Sequence, residues 1–196
     1  LSSAVCSSDL DELRELEDEG LRRRLRRIET RAGPRIEMEG RSLLNFSSND
    51  YLGRADSPEW RDLLLENVRL HGAGSGASRL VSGTTAPHLE LEERLAELKR
   101  TEAALTFSSG FAVASGVIPA LCQRGDVIIL DKLSHACLID GARFSGATLR
   151  VFPHNDTEKL RGHLRWARSR INDAGRILVV TESVFSMDGD TAYLSE

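Results

Sequence analysis

Short apolar runs alternate with segments of helical length through the second half of the sequence, and this alternation constrains the fold more than any other feature. The runs Val-Ile-Ile-Leu at 127–130 and Ile-Leu-Val-Val at 177–180 are apolar at every position. Continuous apolar runs of this length are typical of strands buried on both faces of a sheet. Strands separated by helices require right-handed crossovers, which favour a parallel sheet. The sequence therefore predicts an α/β fold with a mainly parallel sheet and a helical N-terminal arm.

The local patterns predict a regular order of elements around that sheet. Polar loops are expected over residues 47–53 and, in a glycine-rich segment, over residues 71–78. The predicted helices cover residues 11–28, 57–70 with Ser57 as the N-cap, a segment after Thr84 or Thr85, 111–122, 135–144 and 156–170. The predicted strands are one or two within 35–46, followed by 103–107, 126–130, 148–152 and 177–181.

Composition and charge exclude several classes of protein. The 40% hydrophobic and 29% charged residues are typical of a globular chain, and the net charge of −4 offers no basic field for nucleic acid. No apolar run approaches the roughly 20 residues that a membrane-spanning helix needs. Cys6, Cys122 and Cys137 lack a metal-ligand spacing and cannot all pair, which favours a reducing compartment. We therefore expect a soluble, cytoplasmic protein that binds neither nucleic acid nor a membrane.

Both ends of the sequence are unusual. Residues 1–10 begin without Met and lack the pattern of a signal peptide, so we expect them to be a non-native scar. Residues 192–196 follow a strand and a loop with no helix to cover them, which predicts that the domain is cut short. Between these limits, residues 11–70 are expected to form an N-terminal arm with part of a small domain. Residues 71–196 are expected to form part of a large domain without its C-terminal portion.

Ligands of open α/β sheets bind beyond the carboxyl ends of the strands, and three predicted loops leave the sheet there. In the loop after strand 103–107, Ser109 and Gly110 open a helix. Its first amides could hold a phosphate, although a tight turn relieved by Gly110 explains the same residues. In the second loop, His135 could stack on an aromatic ligand or transfer protons. Alternatively, Ser134 caps the helix and His135 is an exposed first-turn residue.

The third loop and an earlier glycine-rich loop each admit more than one interpretation. Residues 181–190 carry hydroxyls and carboxylates that could bind a phosphate, orient a cofactor or hold a metal, although Asp-Gly turn chemistry accounts for them too. Asp188 and Asp190 lack the downstream ligands of a calcium loop, so no metal site is expected. The glycine loop at 72–76 follows a helix and has Ala77 in place of a third glycine, which argues against nicotinamide or flavin binding.

Five ordered motifs resemble those of the α-oxoamine synthase family of pyridoxal-phosphate enzymes. They are NFSSNDYLG at 45–53, GSGASRLVSGT at 74–84 followed by HLELE at 88–92, FSSGF at 107–111, DKLSHAC at 131–137 and VTESVFSMDGD at 180–190. The match extends from about Leu21 to the last residue. The resemblance implies a type I pyridoxal-phosphate-dependent transferase fold in which residues 71–196 belong to the cofactor-binding domain. It also implies a homodimer with sites at the subunit interface.

The resemblance further implies a reaction and its participants. Members of the family are acyltransferases that condense an amino acid with an acyl thioester and lose carbon dioxide, using pyridoxal 5'-phosphate. Segments 78–84 and 107–111 most resemble the members of biotin biosynthesis, which use L-alanine and pimeloyl-CoA or a pimeloyl carrier protein. Sister activities stay open: glycine C-acetyltransferase (2-amino-3-ketobutyrate CoA ligase), 5-aminolevulinate synthase and serine palmitoyltransferase. A non-catalytic binding or regulatory homologue is the alternative of another class.

Cofactor roles in the family carry over to this sequence residue by residue. By resemblance, Gly110 and Phe111 match the pair at the cofactor phosphate. His135 matches the catalytic histidine that stacks on the pyridoxal ring and contacts substrate. Ser186 matches the serine of the FSMDGD segment that contacts the cofactor.

Substrate contacts are expected in the N-terminal part of the chain. Arg22, or Arg23 after a one-residue shift, matches an arginine that meets substrate, and Asn49 is expected near it. The family's catalytic lysine, which forms the Schiff base, lies further along than Glu196, as do an acidic residue and a second histidine of the site. We therefore expect the chain by itself to be inactive.

Overall fold

The structure is a computed structural model that describes residues 7–30 and 33–194. Residues 1–6 of the expected non-native segment, and residues 195–196, lie outside the described residues. The chain divides into two units, Leu1–Pro87 and His88–Glu196, and each has its own sheet.

Helices and strands follow one another largely as the sequence predicts. The helices are α1 (Ser7–Asp18), α2 (Pro58–His71), α3 (Ala86–Lys99), α4 (Gly110–Leu121), α5 (Ala136–Phe144) and α6 (Thr157–Arg168). The strands are β1 (Arg35–Met38), β2 (Arg41–Leu44), β3 (Val127–Asp131), β4 (Thr148–Phe152) and β5 (Ile177–Val180). A π-helical turn covers Arg79–Gly83.

The sheet of the second unit is parallel, with the strand order β4-β3-β5. Val127 at the start of β3 lies opposite Thr148 of β4 and Ile177 of β5, so the three strands start together. All residues of β3 are buried, which confirms that its apolar run belongs to the centre of the sheet.

Helices cover both faces of this sheet. Ile128 and Leu130 face a cluster formed with Ala114 and Ile118 of α4 and Ala142 of α5. The alternate residues of β3, Val127 and Ile129, pack on the opposite face against Ala167 of α6. This division follows from the period of two along a strand. Burial of each such large aliphatic side chain stabilises the fold by about 1.5–3 kcal/mol.

A glycine allows α4 and α5 to pack closely. A Cβ added at Gly141 of α5 would lie 2.4 Å from the Ala114 carbonyl oxygen of α4, which is far inside van der Waals contact. The two helices therefore touch backbone to backbone at Gly141, and this contact fixes the positions of their N-terminal ends relative to each other.

An antiparallel hairpin forms the sheet of the first unit. β1 pairs with β2 through Arg35 opposite Leu44 and Met38 opposite Arg41, which confirms short strands within residues 35–46. Glu39 and Gly40 connect the strands with φ angles of 52° and 71°. Two consecutive residues with positive φ are typical of a tight hairpin turn whose twist matches that of the strands.

The predicted helix over residues 11–28 is wrong in length, because α1 ends at Asp18. Gly20 adopts a φ of 69°, and the Leu21 amide donates to the Leu16 carbonyl at 2.8 Å. The Gly20 amide donates to the Glu17 carbonyl at 3.0 Å. These two bonds form a Schellman motif, in which a glycine in the left-handed region ends the helix although the apolar spacing continues.

The predicted strand over residues 103–107 is also wrong. Among the described residues none pairs with this segment in a β-ladder. The Thr106 amide and hydroxyl instead donate to Glu92 Oε1 at 2.7 and 2.9 Å. A strand is defined by its neighbour, so apolar residues without a pairing partner remain a loop.

Ser57 is the N-cap of α2 as predicted, but it does not make the hydrogen bond expected of a capping side chain. Ser57 precedes Pro58 with extended backbone angles, yet its side chain makes no capping hydrogen bond. Proline at the first helical position has no N–H and has its φ already set for a helix, which helps the helix to start there.

Candidate functional site

The candidate site lies at the carboxyl edge of the β4-β3-β5 sheet. Because the three strands are parallel, the loops that follow them leave the sheet at the same edge. These loops contain residues 132–135 after β3, 153–156 after β4 and 181–191 after β5.

His135 forms the junction between the first of these loops and α5. It is the N-cap of α5, and its Nδ1 accepts the Cys137 backbone N–H at 3.2 Å. The Cys137 Sγ lies 3.0 Å from the same nitrogen. A neutral imidazole that accepts at Nδ1 carries its proton on Nε2, and the side chain is exposed to solvent. His135 therefore presents an N–H and an aromatic face outside the sheet edge.

The alternative in which Ser134 caps α5 is wrong. Its hydroxyl oxygen is buried and has no hydrogen-bond partner among the described residues, whereas His135 accepts the capping bond. The backbone N–H of His135 donates to the carboxylate of Glu182, which follows β5. This bond joins the loop after β3 to the loop after β5.

Ser186 lies in a tight turn after β5. The turn is closed by the Phe185 amide donating to the Asp190 carbonyl at 2.9 Å and by the Gly189 amide donating to the Phe185 carbonyl at 2.8 Å. Phe185 is fully buried, so it anchors the turn, while Ser186 is exposed. Gly189 has a φ of 73°, which agrees with the prediction of an Asp-Gly turn at 188–189.

Gly110 and Phe111 form the first turn of α4. Ser109 is the N-cap, and its hydroxyl accepts the Ala112 N–H at 3.1 Å. The amides of Gly110 and Phe111 have no acceptor within the helix, because the first amides of any α-helix lack one. A Cβ added at Gly110 would meet no atom within 4 Å, so the backbone is open to a ligand. Open amides at a helix N-terminus fit a phosphate group.

A histidine that the sequence interpretation missed lies at the same edge. His154 follows β4, and its Nδ1 lies 3.0 Å from Asp131 Oδ1, while its Nε2 lies 2.7 Å from Asp190 Oδ2. Its ring meets the Phe185 ring edge to face at 4.4 Å between centroids. The signal was available, because residues directly after a parallel strand always lie at its carboxyl edge.

Electrostatics favour the charged form of His154. The hydrogen bond to the Asp190 carboxylate, followed by that to Asp131, raises the pKa of His154 above its ordinary value despite some desolvation.

Glu182 is the other residue that the sequence interpretation did not single out. Its role depends on its contact with the backbone N–H of His135, which lies 47 positions away in the sequence.

Two of the three predicted substrate contacts, Arg22 and Asn49, lie in the first unit, whereas His135 lies in the second. Arg22 is ion-paired with Glu17, and this hydrogen bond lowers the pKa of the Glu17 carboxyl. Arg24 also pairs with Glu17. Asn49 is exposed in the loop after β2, where its Oδ1 lies 3.5 Å from the Tyr51 hydroxyl. Their proposed contact with substrate stays a prediction.

Comparison with known families gives the relationship of the chain. Residues 41–196 match the family profile described as aminotransferase class I and II. The chain belongs to that family.

Among the described residues, no helix combines the length and the apolar composition needed to cross a membrane.

Curated relatives narrow the resemblance within the family. The chain is 50% identical over 183 residues to an 8-amino-7-oxononanoate synthase of Geobacter sulfurreducens, covering 93% of this chain and 46% of the relative. It is 49% identical over 192 residues to the 8-amino-7-oxononanoate synthase of Geobacter metallireducens, covering 98% of this chain and 48% of the relative. The chain thus spans about half the length of the curated relatives it matches, and the resemblance to α-oxoamine synthases is confirmed.

Solved structures confirm the fold. A serine palmitoyltransferase variant from S. paucimobilis with bound PLP–myriocin aldimine is 30% identical with a TM-score of 0.84, covering 96% of this chain and 47% of that one. The 8-amino-7-oxononanoate synthase of Francisella tularensis is 27% identical with a TM-score of 0.62, and the match covers 76% of this chain and 40% of that one. The architecture is that of type I pyridoxal-phosphate-dependent transferases.

Proposed function

We propose that the natural protein carrying this sequence is a pyridoxal-phosphate-dependent acyltransferase of biotin biosynthesis. It condenses L-alanine with a pimeloyl thioester, with loss of carbon dioxide, to give 8-amino-7-oxononanoate. The observation that carries the proposal is near 50% identity to several 8-amino-7-oxononanoate synthases over almost the whole chain. The polar residues at the carboxyl edge of the sheet support it, because they fit the cofactor chemically.

Residues of the second unit offer complementary contacts for the cofactor. The open amides of Gly110 and Phe111 would hold the phosphate, the exposed imidazole of His135 would stack on the ring, and the exposed Ser186 hydroxyl would donate to it. Pyridoxal phosphate, when bound, withdraws electrons from the amino acid α-carbon and so eases loss of its proton or carboxylate.

His135 is the proposed catalytic residue because its N–H faces outward. The Cys137 amide occupies Nδ1, so Nε2 is the nitrogen that can donate a hydrogen bond to substrate or exchange a proton with it. The bond from the His135 amide to Glu182 fixes the start of α5 and hence the direction of the ring. Arg22 and Asn49 are the proposed contacts of the substrate.

The assembly and location belong to the same proposal. The protein is a cytoplasmic homodimer with sites at the subunit interface. Many large apolar side chains of α2 are exposed in the single chain, including Trp60 at 53% and Leu64 at 65%. Such a face is suited to burial against further protein.

The experiment that tests this function uses the natural protein and two spectroscopic steps. Purified protein is titrated with pyridoxal phosphate and its visible absorbance followed, and then L-alanine, glycine and L-serine are added separately. We expect saturable cofactor uptake and a spectral response to L-alanine at the lowest concentration. A stronger response to glycine or serine would move the activity to a sister enzyme. No cofactor uptake by folded protein would leave a non-catalytic homologue.

A further inference from the structure

His154, in the loop after β4, contacts residues at the ends of the two neighbouring strands. The loops that follow those strands carry the proposed cofactor contacts His135 and Ser186. Its Nδ1 contacts Asp131 at the end of β3, and its Nε2 contacts Asp190 in the turn after β5. Both distances, 3.0 and 2.7 Å, are those of hydrogen bonds. We call Asp131, His154 and Asp190 the edge clasp.

The bonding pattern of the edge clasp requires a charged imidazole. An ionised carboxylate only accepts hydrogen bonds, so both ring nitrogens of His154 donate to the two carboxylates. The Asn155 Nδ2, which lies 3.3 Å from His154 Nε2, is a second donor to the same Asp190 Oδ2. Asp131 also accepts the Leu133 amide at 2.8 Å and the Asn155 amide at 3.1 Å. The clasp is therefore an imidazolium held between the carboxylates of Asp190 and Asp131, whose hydrogen bonds raise the pKa of His154.

Burial is greatest at the Asp131 end of the edge clasp. The Asp131 side chain is 1% exposed and that of His154 is 21% exposed. Phe185, which is fully buried, covers the imidazole from one side. The charge-assisted hydrogen bond to Asp131 is shielded from water and is therefore stronger than one on an open surface, whereas the Asp190 side chain is 42% exposed.

Each end of the edge clasp leads directly to a proposed cofactor contact. Asp131 holds the Leu133 amide, and the chain then reaches His135 two residues later. Asp190 lies four residues after Ser186 and closes the same turn through its carbonyl, which accepts the Phe185 amide. Asn155 strengthens this end, since its Nδ2 donates to Asp190 Oδ2 at 3.2 Å and to the Thr191 carbonyl at 3.1 Å.

We propose that His154 is a positioning residue, which, through its ion pairs with Asp131 and Asp190, sets the distance between the loop of His135 and the turn of Ser186. This inference rests on the proposed function, because it gives the two loops a shared task in holding the cofactor. In the proposed role His154 acts through these two loops rather than on a reactant.

The first test measures loop order in the natural protein without added cofactor. Amide hydrogen exchange is compared between wild type and His154→Gln, with His163→Gln on α6 as the matched control, because His163 is also a half-buried histidine of this unit. We expect exchange to rise about tenfold or more at residues 133–135 and 185–190 together. Amides of β3 and those of the control should not change.

The charge state supplies a readout that a neutral structural histidine would not give. Nitrogen NMR of the imidazole should show both ring nitrogens of His154 protonated at pH 6 and a midpoint above the ordinary value of about 6.5, and loop protection should fall as pH rises through that midpoint. In His154→Gln that pH dependence should be absent. A midpoint at or below about 6.5, or exchange rising in one loop only or equally in β3, would overturn the proposal.

The second test relates the edge clasp to the cofactor and separates this inference from the proposed function. In holoenzyme, His154→Gln and the milder Asp190→Asn should each weaken pyridoxal-phosphate affinity and lower kcat by about tenfold or more, with little change in KM. Loosened loops with kcat and cofactor affinity both unchanged would make His154 purely structural and contradict the inference. If wild type takes up no cofactor, the proposed function fails, while the exchange and NMR results still stand by themselves.

Discussion

At the scale of single residues, His135 combines two tasks that are usually separate. Its Nδ1 caps α5 by accepting the Cys137 N–H, and its exposed ring is available to a ligand. The cap fixes both the tautomer and the direction of the ring, so local folding prepares the residue for the role proposed for it.

Substitution of His135 should separate stacking from proton transfer. In His135→Phe the aromatic face stays, so we expect affinity for pyridoxal phosphate within about threefold of wild type. The N–H is lost, so kcat should fall by about 10²–10⁴-fold. Absorbance titration and steady-state kinetics measure the two effects, with His163→Phe as the control. Unchanged kcat in His135→Phe would remove the acid–base role.

His154 should make stability depend on pH in a defined direction. The pKa of His154 is raised in the folded protein by Asp190 and Asp131, so the folded protein binds the proton of the imidazole more tightly than the unfolded chain does. The stabilisation is complete below the unfolded value of about 6.5 and is lost as pH rises through the folded value. Urea unfolding of wild type and His154→Gln should therefore differ most near pH 6 and converge at alkaline pH. A difference that grows with pH would contradict the charged imidazole.

At the scale of elements, close packing of α4 on α5 places the proposed phosphate-binding turn beside the helix capped by His135. The contact depends on Gly141, where a Cβ would lie 2.4 Å from the Ala114 carbonyl oxygen. Few residues other than glycine allow backbones to approach so closely.

Two glycine substitutions should have opposite signs. Gly141→Ala should lower the free energy of unfolding by about 1–3 kcal/mol, because the added methyl group must push α4 and α5 apart. Gly162→Ala on α6 should raise it by about 0.5–1 kcal/mol, since no atom lies within 4 Å of the added Cβ and alanine favours a helix. Urea denaturation of both variants checks the pair. Equal effects would show that the α4–α5 contact is looser than described.

The turn after β5 should depend on its buried aromatic side chain. Phe185 is 0% exposed, so Phe185→Ala should cost about 3–5 kcal/mol of stability through the cavity it leaves. Met187, two residues further along, is 80% exposed, and Met187→Ala should stay within about 0.5 kcal/mol of wild type. Thermal unfolding of the two variants compares them directly. A mild effect at Phe185 would mean that the turn is not anchored there.

Elements with local signals were predictable from the sequence, and those that depend on distant partners were not. The apolar run of β3 predicted the parallel sheet because burial on both faces leaves a continuous pattern. The same pattern in β5 predicted its pairing correctly but not its burial, because Val179 is exposed among the described residues. Gly20 was a local signal for the end of α1 that the apolar spacing obscured. The segment 103–107 could not be assigned in this way, since strand formation depends on a neighbour rather than on the segment itself.

At the scale of the whole molecule, the sequence predicted that the site lies at the carboxyl edge of the sheet, but not which side chains contact one another there. Parallel strands bring the ends of β3, β4 and β5 to one edge, so the loops of His135 and Ser186 were expected there. The Asp131–His154–Asp190 contacts join residues up to 36 positions apart, and no spacing rule reveals them. The family assignment came from five ordered motifs, because their order carries more information than any one of them.

Identification of the reaction product tests the proposed acyltransferase function most directly. The natural protein is incubated with pyridoxal phosphate, pimeloyl-CoA and either L-alanine, glycine or L-serine, and the products are identified by mass spectrometry. We predict 8-amino-7-oxononanoate from L-alanine, with kcat/KM about 10–200-fold above that for glycine, the range one methyl group provides in an apolar pocket. Preference for glycine or serine, or no condensation by protein that has taken up the cofactor, would contradict this function.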